Sequence, residues 1–217
     1  NGTTPLLSGG GAAPFDFRDL LGATLLGVGT GLVTRVFAWM IVHAKRLQRS
    51  VPVWQSVMVG GSVIAVAQLV GWNQTGENVA LGPGYEAIRW AADPEVALWL
   101  IVVVLVIRSV GTTAAIGGGG VGGLFVPLVV LGSLFGQFIG GVLDAPNPNL
   151  FALIGVAAAP GAGYRVPLAG VMFVAEASGR PGFIVPGLLA AVGADLVMGS
   201  ASVTPYQQSS DAVSEYH

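Results

Sequence analysis

Residues 117–127 read GGGGVGGLFVP, and no other segment constrains the fold as strongly. An α-helix does not continue through this density of glycine, because each Gly costs roughly 1 kcal/mol relative to Ala inside a helix. The apolar run that follows, residues 124–143, is long enough to form a helix of its own. The segment therefore predicts an irregular loop that opens directly into an apolar helix.

The start of that helix is a candidate binding site for an anion. Its first backbone N–H groups have no partner within the helix, and the helix dipole adds roughly half a positive charge there. Because Gly122 and Gly123 carry no side chain, an anion could approach these amides closely. A tight turn for helix packing explains the same glycines equally well. A phosphate loop is disfavoured because no Lys or Ser/Thr follows in the required pattern.

Composition indicates that much of the surface faces lipid. The 217 residues include only 9 Lys+Arg and 11 Asp+Glu, so 9% are charged where an ordinary soluble domain has about 25%. Hydrophobic residues make up 53% and there is no Cys. These values exclude a disordered chain, a disulfide scaffold and a thiolate metal site. A net charge of −2 also argues against a nucleic-acid partner.

Charge-free intervals predict an all-α, polytopic membrane protein with tilted, broken and re-entrant helices. No charged residue lies between Arg49 and Glu77, or between Arg108 and Asp144, and about 20 apolar residues suffice to cross the hydrocarbon core. Gly and Pro interrupt the shorter apolar segments, a pattern typical of transport sites. Predicted helices occupy residues 20–42, 52–70, 84–92, 95–113, 124–143, 150–159, 167–179 and 188–198. Predicted breaks fall at residues 71–83, 160–165 and 181–186.

Two glycine patterns predict close helix packing. Gly27 and Gly31 form a GxxxG pair, and Gly132, Gly136 and Gly140 extend the same spacing. Arg35 interrupts the first helix, so the face that carries it is expected to meet protein or water.

Enzyme chemistry has few candidates. The only histidines are His43, inside a basic cluster, and His217, the last residue. Glu176 and Asp195 could form a carboxylate pair, but both flank breaks and are expected to cap helices or meet backbone amides. No His or carboxylate cluster has metal-ligand spacing. We predict neither catalysis nor a cofactor.

Four ordered segments resemble the CLC chloride channel and transporter family. Residues 123–127, GLFVP, are similar to its GxFxP motif, and RVPLAG with VAEASG in residues 165–179 is similar to its RAPL…LxxExTG region. Residues 25–46 resemble the helix that opens the second half of the family's fold. Pro83-Gly84-Tyr85 with Ile88 resembles the connection before GxFxP.

The resemblance implies a central anion site on this chain. Backbone amides of Gly123, Leu124 and Phe125 would bind chloride, and Gly122 and Pro127 would set the backbone geometry. No cofactor is implied, and chloride would be the transported ligand. The implied fold is half of an inverted repeat. The implied assembly is a homodimer with one pore per subunit. The expected location is a plasma or inner membrane.

A tyrosine hydroxyl at the start of the family's last helix is also implied in the site. Tyr206 matches it best, and Tyr216 is the fallback. A phenol is a neutral hydrogen-bond donor. Without the resemblance, an aromatic anchor at the membrane interface is the favoured explanation of Tyr206.

The family's GSGIP and GxEGP segments are absent, so the chain resembles the second half alone. The expected layout is a loop over residues 1–15, a transmembrane domain over 16–206 and a tail or curtailed helix over 207–217. Expected partners are the lipid bilayer, a second copy, and the first half in the same or another chain. A non-transporting membrane scaffold is the alternative function. Residues that would separate a channel from a proton-coupled exchanger belong to the first half.

Overall fold

A computed structural model of the chain describes residues 17–145, 148–179 and 183–204. These residues form helices joined by turns and loops, with no strand among them. Helix bounds are α1 Phe17–Ser50, α2 Val53–Thr75, α3 Tyr85–Ala91, α4 Leu98–Gly117, α5 Phe125–Val142, α6 Pro148–Gly163, α7 Pro167–Ser178 and α8 Ile184–Met198. Segments of α1, α2, α4 and α5 are long and apolar enough to cross a membrane, whereas α6, α7 and α8 are shorter. The predicted mixture of long and short apolar helices is confirmed.

Helix α6 is the centre of the bundle. Every residue from Phe151 to Gly163 is buried, and the main hydrophobic cluster joins α6 to α1, α5, α7 and α8. A second cluster packs α3 and α4 against the other side of α5. In contrast, only a small part of α2 is buried, so its apolar side chains are available to lipid.

Glycine brings the helix backbones together as the spacing predicted. A Cβ at Gly27 would lie 2.5 Å from the Ala190 carbonyl oxygen on α8. One at Gly31 would lie 2.7 Å from the Ala194 carbonyl oxygen. The α1–α8 contact therefore depends on these glycines, because a methyl group at either position would overlap backbone.

The predicted break at residues 160–165 is wrong, because α6 continues through Pro160 to Gly163. Proline removes one backbone donor, but the helix recovers at the next turn, where the Tyr164 N–H donates to the Pro160 carbonyl at 3.0 Å. Dense packing around α6 offsets the lost hydrogen bond, and local sequence does not report that packing.

Other helix boundaries also differ from the predictions, and α1 in particular continues past residue 42 to Ser50. Helix α4 begins at Leu98 because the Asp93 side chain accepts a hydrogen bond from the Glu95 N–H at 2.9 Å, which forms a turn. Helix α2 runs past Gly71 and ends where Gly76 takes a φ of 70°. Helix α8 begins before Pro186, which lies in its first turn, where no backbone donor is needed.

Two arginines inside apolar helices bind backbone carbonyls. Arg35 on α1 donates to the Val197 carbonyl at 2.8 Å, near the end of α8. This contact places the Arg35 side chain against protein, although the residue itself is exposed. Arg108 on α4 donates to three carbonyls of the α2–α3 connection. These belong to Ala80, Leu81 and Gly82, at 3.0, 3.0 and 3.1 Å.

Candidate functional site

The first glycines of the α4–α5 loop end helix α4. Gly119 has a φ of 92°, and its N–H donates to the Ile116 carbonyl at 3.2 Å. The Gly120 N–H donates to the Ala115 carbonyl at 2.8 Å. This pair of bonds is the Schellman arrangement, in which a left-handed residue satisfies the last carbonyls of a helix.

Gly122 and Gly123 lie in a different environment. A Cβ at either position would meet no atom within 4 Å in the described part of the chain, and neither residue has a left-handed φ. Neither packing nor backbone strain within those residues explains the two glycines. Their effect is to leave open the space beside the amides that begin α5.

The amides at the start of α5 have no backbone partner. Among the described residues, no carbonyl accepts a hydrogen bond from any N–H between Val121 and Val126. Leu124 is the N-cap residue, it is 6% exposed, and no side chain caps the helix. Pro127 stands in the first turn, where it has no N–H to satisfy. The arrangement leaves backbone donors available to an anion.

Sequence reasoning missed Tyr164, which lies against this helix start. The Tyr164 hydroxyl lies close to the Leu124 backbone amide. The Tyr164 and Phe125 rings have centroids 6.4 Å apart, and Phe173 packs edge-on to Phe125 at 5.1 Å. No sequence signal identifies Tyr164, since it precedes the RVPL motif within an expected chain break.

Tyr206, Tyr216 and His217 lie outside the described residues. The segment that leads toward Tyr206 is attached close to Tyr164. The Val203 N–H donates to the Gly163 carbonyl at 3.1 Å, and the Ser202 hydroxyl donates to the same oxygen at 3.2 Å.

The carboxylates do not form the pair considered above. The Asp195 carboxylate forms an ion pair with the Arg165 guanidinium, with a nitrogen–oxygen distance of 3.9 Å. The sequence had predicted that this carboxylate would cap a helix or meet backbone amides. Glu176 is exposed on α7. His43 Nδ1 lies 2.9 Å from the Trp39 carbonyl. In residues 17–145, 148–179 and 183–204, no group of His and carboxylates could hold a metal ion.

A pocket of about 220 Å³ adjoins the start of α5. It opens between α3, α5, α6 and α7, and its lining is mainly apolar. Phe125 and Val126 of α5 contribute to it, together with Tyr85 of α3 and Phe173 of α7. The amide site and this pocket therefore share the Phe125 side chain.

In the described part of the chain, four helices long and apolar enough to cross a membrane and three shorter apolar helices define a polytopic membrane protein. A cyanobacterial Cl⁻/H⁺ antiporter has the same fold, with a TM-score of 0.76 at 20% identity. A CLC-type fluoride/proton antiporter aligns with a TM-score of 0.72 at 19% identity. Both alignments cover 93% of this chain and 49% of the other.

The family model described as voltage gated chloride channel matches residues 1–199, so the chain belongs to the CLC family. The H(+)/Cl(−) exchange transporter ClcA of Salmonella paratyphi A is 27% identical over 208 residues. ClcA of Salmonella typhi has the same identity. Each alignment covers 91% of this chain but 43% of the relative.

Family membership confirms the resemblance and the fold class. The chain is a multi-pass integral membrane protein, and its named relatives are transporters rather than enzymes. It spans about half the length of the curated relatives that it matches.

Proposed function

We propose that the chain forms part of a transmembrane pathway for chloride or a similar small anion. The amides at the start of α5 carry this proposal, because no carbonyl among the described residues accepts from them and they lie in the segment that resembles the GxFxP motif. The named relatives exchange chloride for protons, which favours chloride as the ligand. A solved neighbour that is a fluoride/proton antiporter makes fluoride the second anion to test.

In the proposed site the donors are neutral. The amides of Gly123, Leu124 and Phe125 bind the anion from the positive end of α5, and Gly122 and Pro127 set the backbone. Backbone N–H groups at a helix start attract an anion without a full positive charge. This suits transport, since a buried cation would hold the anion too tightly for release.

The Tyr206 hydroxyl supplies a further donor in this proposal. The segment before it is held to Gly163 by the Val203 N–H and the Ser202 hydroxyl. Gly163 precedes Tyr164, which lies close to the Leu124 amide. A chain that leaves Val203 therefore begins close to the start of α5.

The proposed assembly is a homodimer in a lipid bilayer. Each pore also contains the first half of the CLC fold, carried by the same chain or by another. Small residues on α1 and α5 allow the close helix packing that such a pore needs. No cofactor takes part in the proposed transport.

Anion efflux from lipid vesicles tests the proposal. The natural protein, purified from its source organism, is reconstituted into lipid vesicles that contain chloride. A chloride electrode in the external solution then measures chloride release. We expect chloride release well above that of protein-free vesicles. A reversal potential that shifts with a pH gradient would identify proton-coupled exchange, and one that follows chloride alone would identify a channel. Release equal to that of empty vesicles, for both chloride and fluoride, would favour a non-transporting scaffold.

A further inference from the structure

We propose that a groove between α1, α2 and α4 binds an anionic phospholipid of the cytoplasmic leaflet. An acyl chain of the lipid lies in the groove, and its phosphate lies at the basic end of α1. This inference does not depend on the anion pathway proposed above, because it concerns a separate surface. The groove shares no lining residue with the pocket beside α5.

The packing of three helices forms the groove. Helices α1 and α2 each pack on α4 but hardly on each other, so α4 forms the floor between them. A Cβ at Gly60 of α2 would lie 2.6 Å from the Ala114 carbonyl oxygen on α4. One at Gly117 of α4 would lie 3.2 Å from the Ala44 Cβ on α1. These close contacts hold both walls against the floor.

The groove has the polarity of a phospholipid near its headgroup. Its volume is about 300 Å³, which is within the range of ligand sites. Val59 and Val63 of α2 and Val110 of α4 line its apolar part. Gln48 and Gln55, which flank the α1–α2 connection, line its other end. An acyl chain therefore fits the first part, and a headgroup fits the second.

Only positive charge surrounds the end of the groove that carries the glutamines. Lys45, Arg46 and Arg49 occupy the last two turns of α1, among the residues of α1 that line the groove. No Asp or Glu occurs in residues 20–76 or 96–143. In the described part of the chain, none of the three cations forms an ion pair. This charge selects an anionic lipid over a zwitterionic one.

The basic end of α1 also indicates the leaflet. Lys and Arg beside the end of a membrane helix are typical of the cytoplasmic side. Lipids of that leaflet carry the negative charge, and basic pockets between membrane helices bind anionic headgroups. The position of the cations therefore agrees with the charge of the lipids that surround them.

The start of α2 adds donors at the same end. The N–H groups of Gln55 and Ser56 both donate to the Pro52 carbonyl, at 3.0 and 3.2 Å. Among the described residues, no backbone carbonyl accepts from Val53 or Trp54, and no side chain caps the helix. The positive end of the helix dipole thus faces the level where the phosphate lies.

Native mass spectrometry of lipid binding tests the groove. The natural protein, purified from its source organism in detergent, is titrated with phosphatidylglycerol and, separately, with phosphatidylcholine of the same acyl chains. We expect the first phosphatidylglycerol to bind about tenfold more tightly than phosphatidylcholine. Val59→Trp fills the groove and should weaken phosphatidylglycerol binding about tenfold. Val57→Trp is the matched control, because Val57 is similarly exposed on α2 but does not line the groove.

A second variant tests the charge. Lys45→Gln combined with Arg49→Gln should weaken phosphatidylglycerol binding about tenfold and leave phosphatidylcholine binding unchanged, because each cation near an anionic surface contributes several-fold. Arg89→Gln removes an exposed cation of α3, away from the groove, and should bind as the wild type does.

Three outcomes would overturn the inference. Equal affinity for the two lipids would remove the anionic preference. Equal losses in Val59→Trp and Val57→Trp would remove the groove as the site. A wild-type protein that binds neither lipid tightly would show that another part of the protein covers the groove. Each outcome leaves the proposed anion pathway standing, since chloride release is measured separately.

Discussion

Helix α5 begins beside one pair of glycines and contains another set, and the two have different surroundings. Gly132, Gly136 and Gly140, which we call the α5 glycine face, lie against the backbone of α6. A Cβ at Gly132 would overlap the Gly155 carbonyl oxygen, and one at Gly140 would lie 3.0 Å from the Pro148 Cα. At Gly122 and Gly123 a Cβ would meet nothing within 4 Å in the described part of the chain.

The difference indicates that glycine serves two purposes, one inside α5 and the other in the loop that precedes it. On the α5 glycine face, glycine allows two backbones to touch, which is a matter of folding. Before α5, glycine leaves the space beside the backbone donors open, and under the proposed function this space serves anion binding. Substitutions should therefore affect stability in the first set and anion affinity in the second.

Gly132→Ala is expected to have the largest effect. Its new methyl group would meet Gly155 backbone, which cannot move aside as a side chain can, so α5 and α6 must separate. Overpacking of this kind typically lowers the free energy of unfolding by about 1–3 kcal/mol, and sometimes more. Thermal unfolding in detergent should show a clearly lower Tm, or too little folded protein to measure.

Gly61→Ala is the matched control for that substitution. Gly61 lies within α2, and a Cβ there meets nothing within 4 Å among the described residues. Alanine in a helix interior gains roughly 0.5–1 kcal/mol over glycine, so the Tm should be unchanged or slightly higher. If both variants lost stability equally, close packing would not distinguish the α5 glycine face.

Gly123→Val should have the opposite effect to Gly132→Ala, with little change in stability and a loss of anion affinity. The φ of Gly123 is not left-handed and its surroundings are open, so the fold should accept valine with little change in Tm. The side chain would occupy the space an anion needs beside the Leu124 amide. We expect chloride affinity about tenfold lower by calorimetry, equivalent to about 1.4 kcal/mol. A lower Tm with unchanged affinity would assign Gly123 to packing and remove the contrast.

Sequence alone was sufficient where a pattern has one physical meaning. Charge-free apolar runs gave membrane helices, because few other environments accept them. The spacing of Gly27 and Gly31 predicted a close approach, and α8 provides it. Motif order over nearly the whole chain led to the family that the comparisons confirm. Each of these signals is local or repeated along the chain.

Sequence was insufficient where distant residues decide the outcome. Pro160 looks like a break, and only the burial of α6 among its neighbours explains why the helix continues. Asp93 looks like a helix start, but its side chain closes a turn. Tyr164 lies close to the Leu124 amide only because α6 ends beside the start of α5. The sequence does not decide between packing and binding for Gly122 and Gly123 for the same reason, since the space around a residue depends on distant parts of the chain.

Asp144→Gly should have the smallest effect. It tests whether glycine stabilises the chain at a position with a left-handed backbone conformation. Asp144 is exposed and takes a φ of 47° after α5, with its N–H bonded to the Gly141 carbonyl at 3.1 Å. Glycine adopts this conformation without the steric cost that a Cβ brings, so the free energy of unfolding should rise by up to about 1 kcal/mol. Arg165→Gly relieves the same conformation but also removes the ion pair with Asp195, so its gain should be smaller. Chemical denaturation of the two variants measures the difference. A loss of stability in Asp144→Gly would mean that the aspartate side chain stabilises this turn, and that conformation does not govern the position.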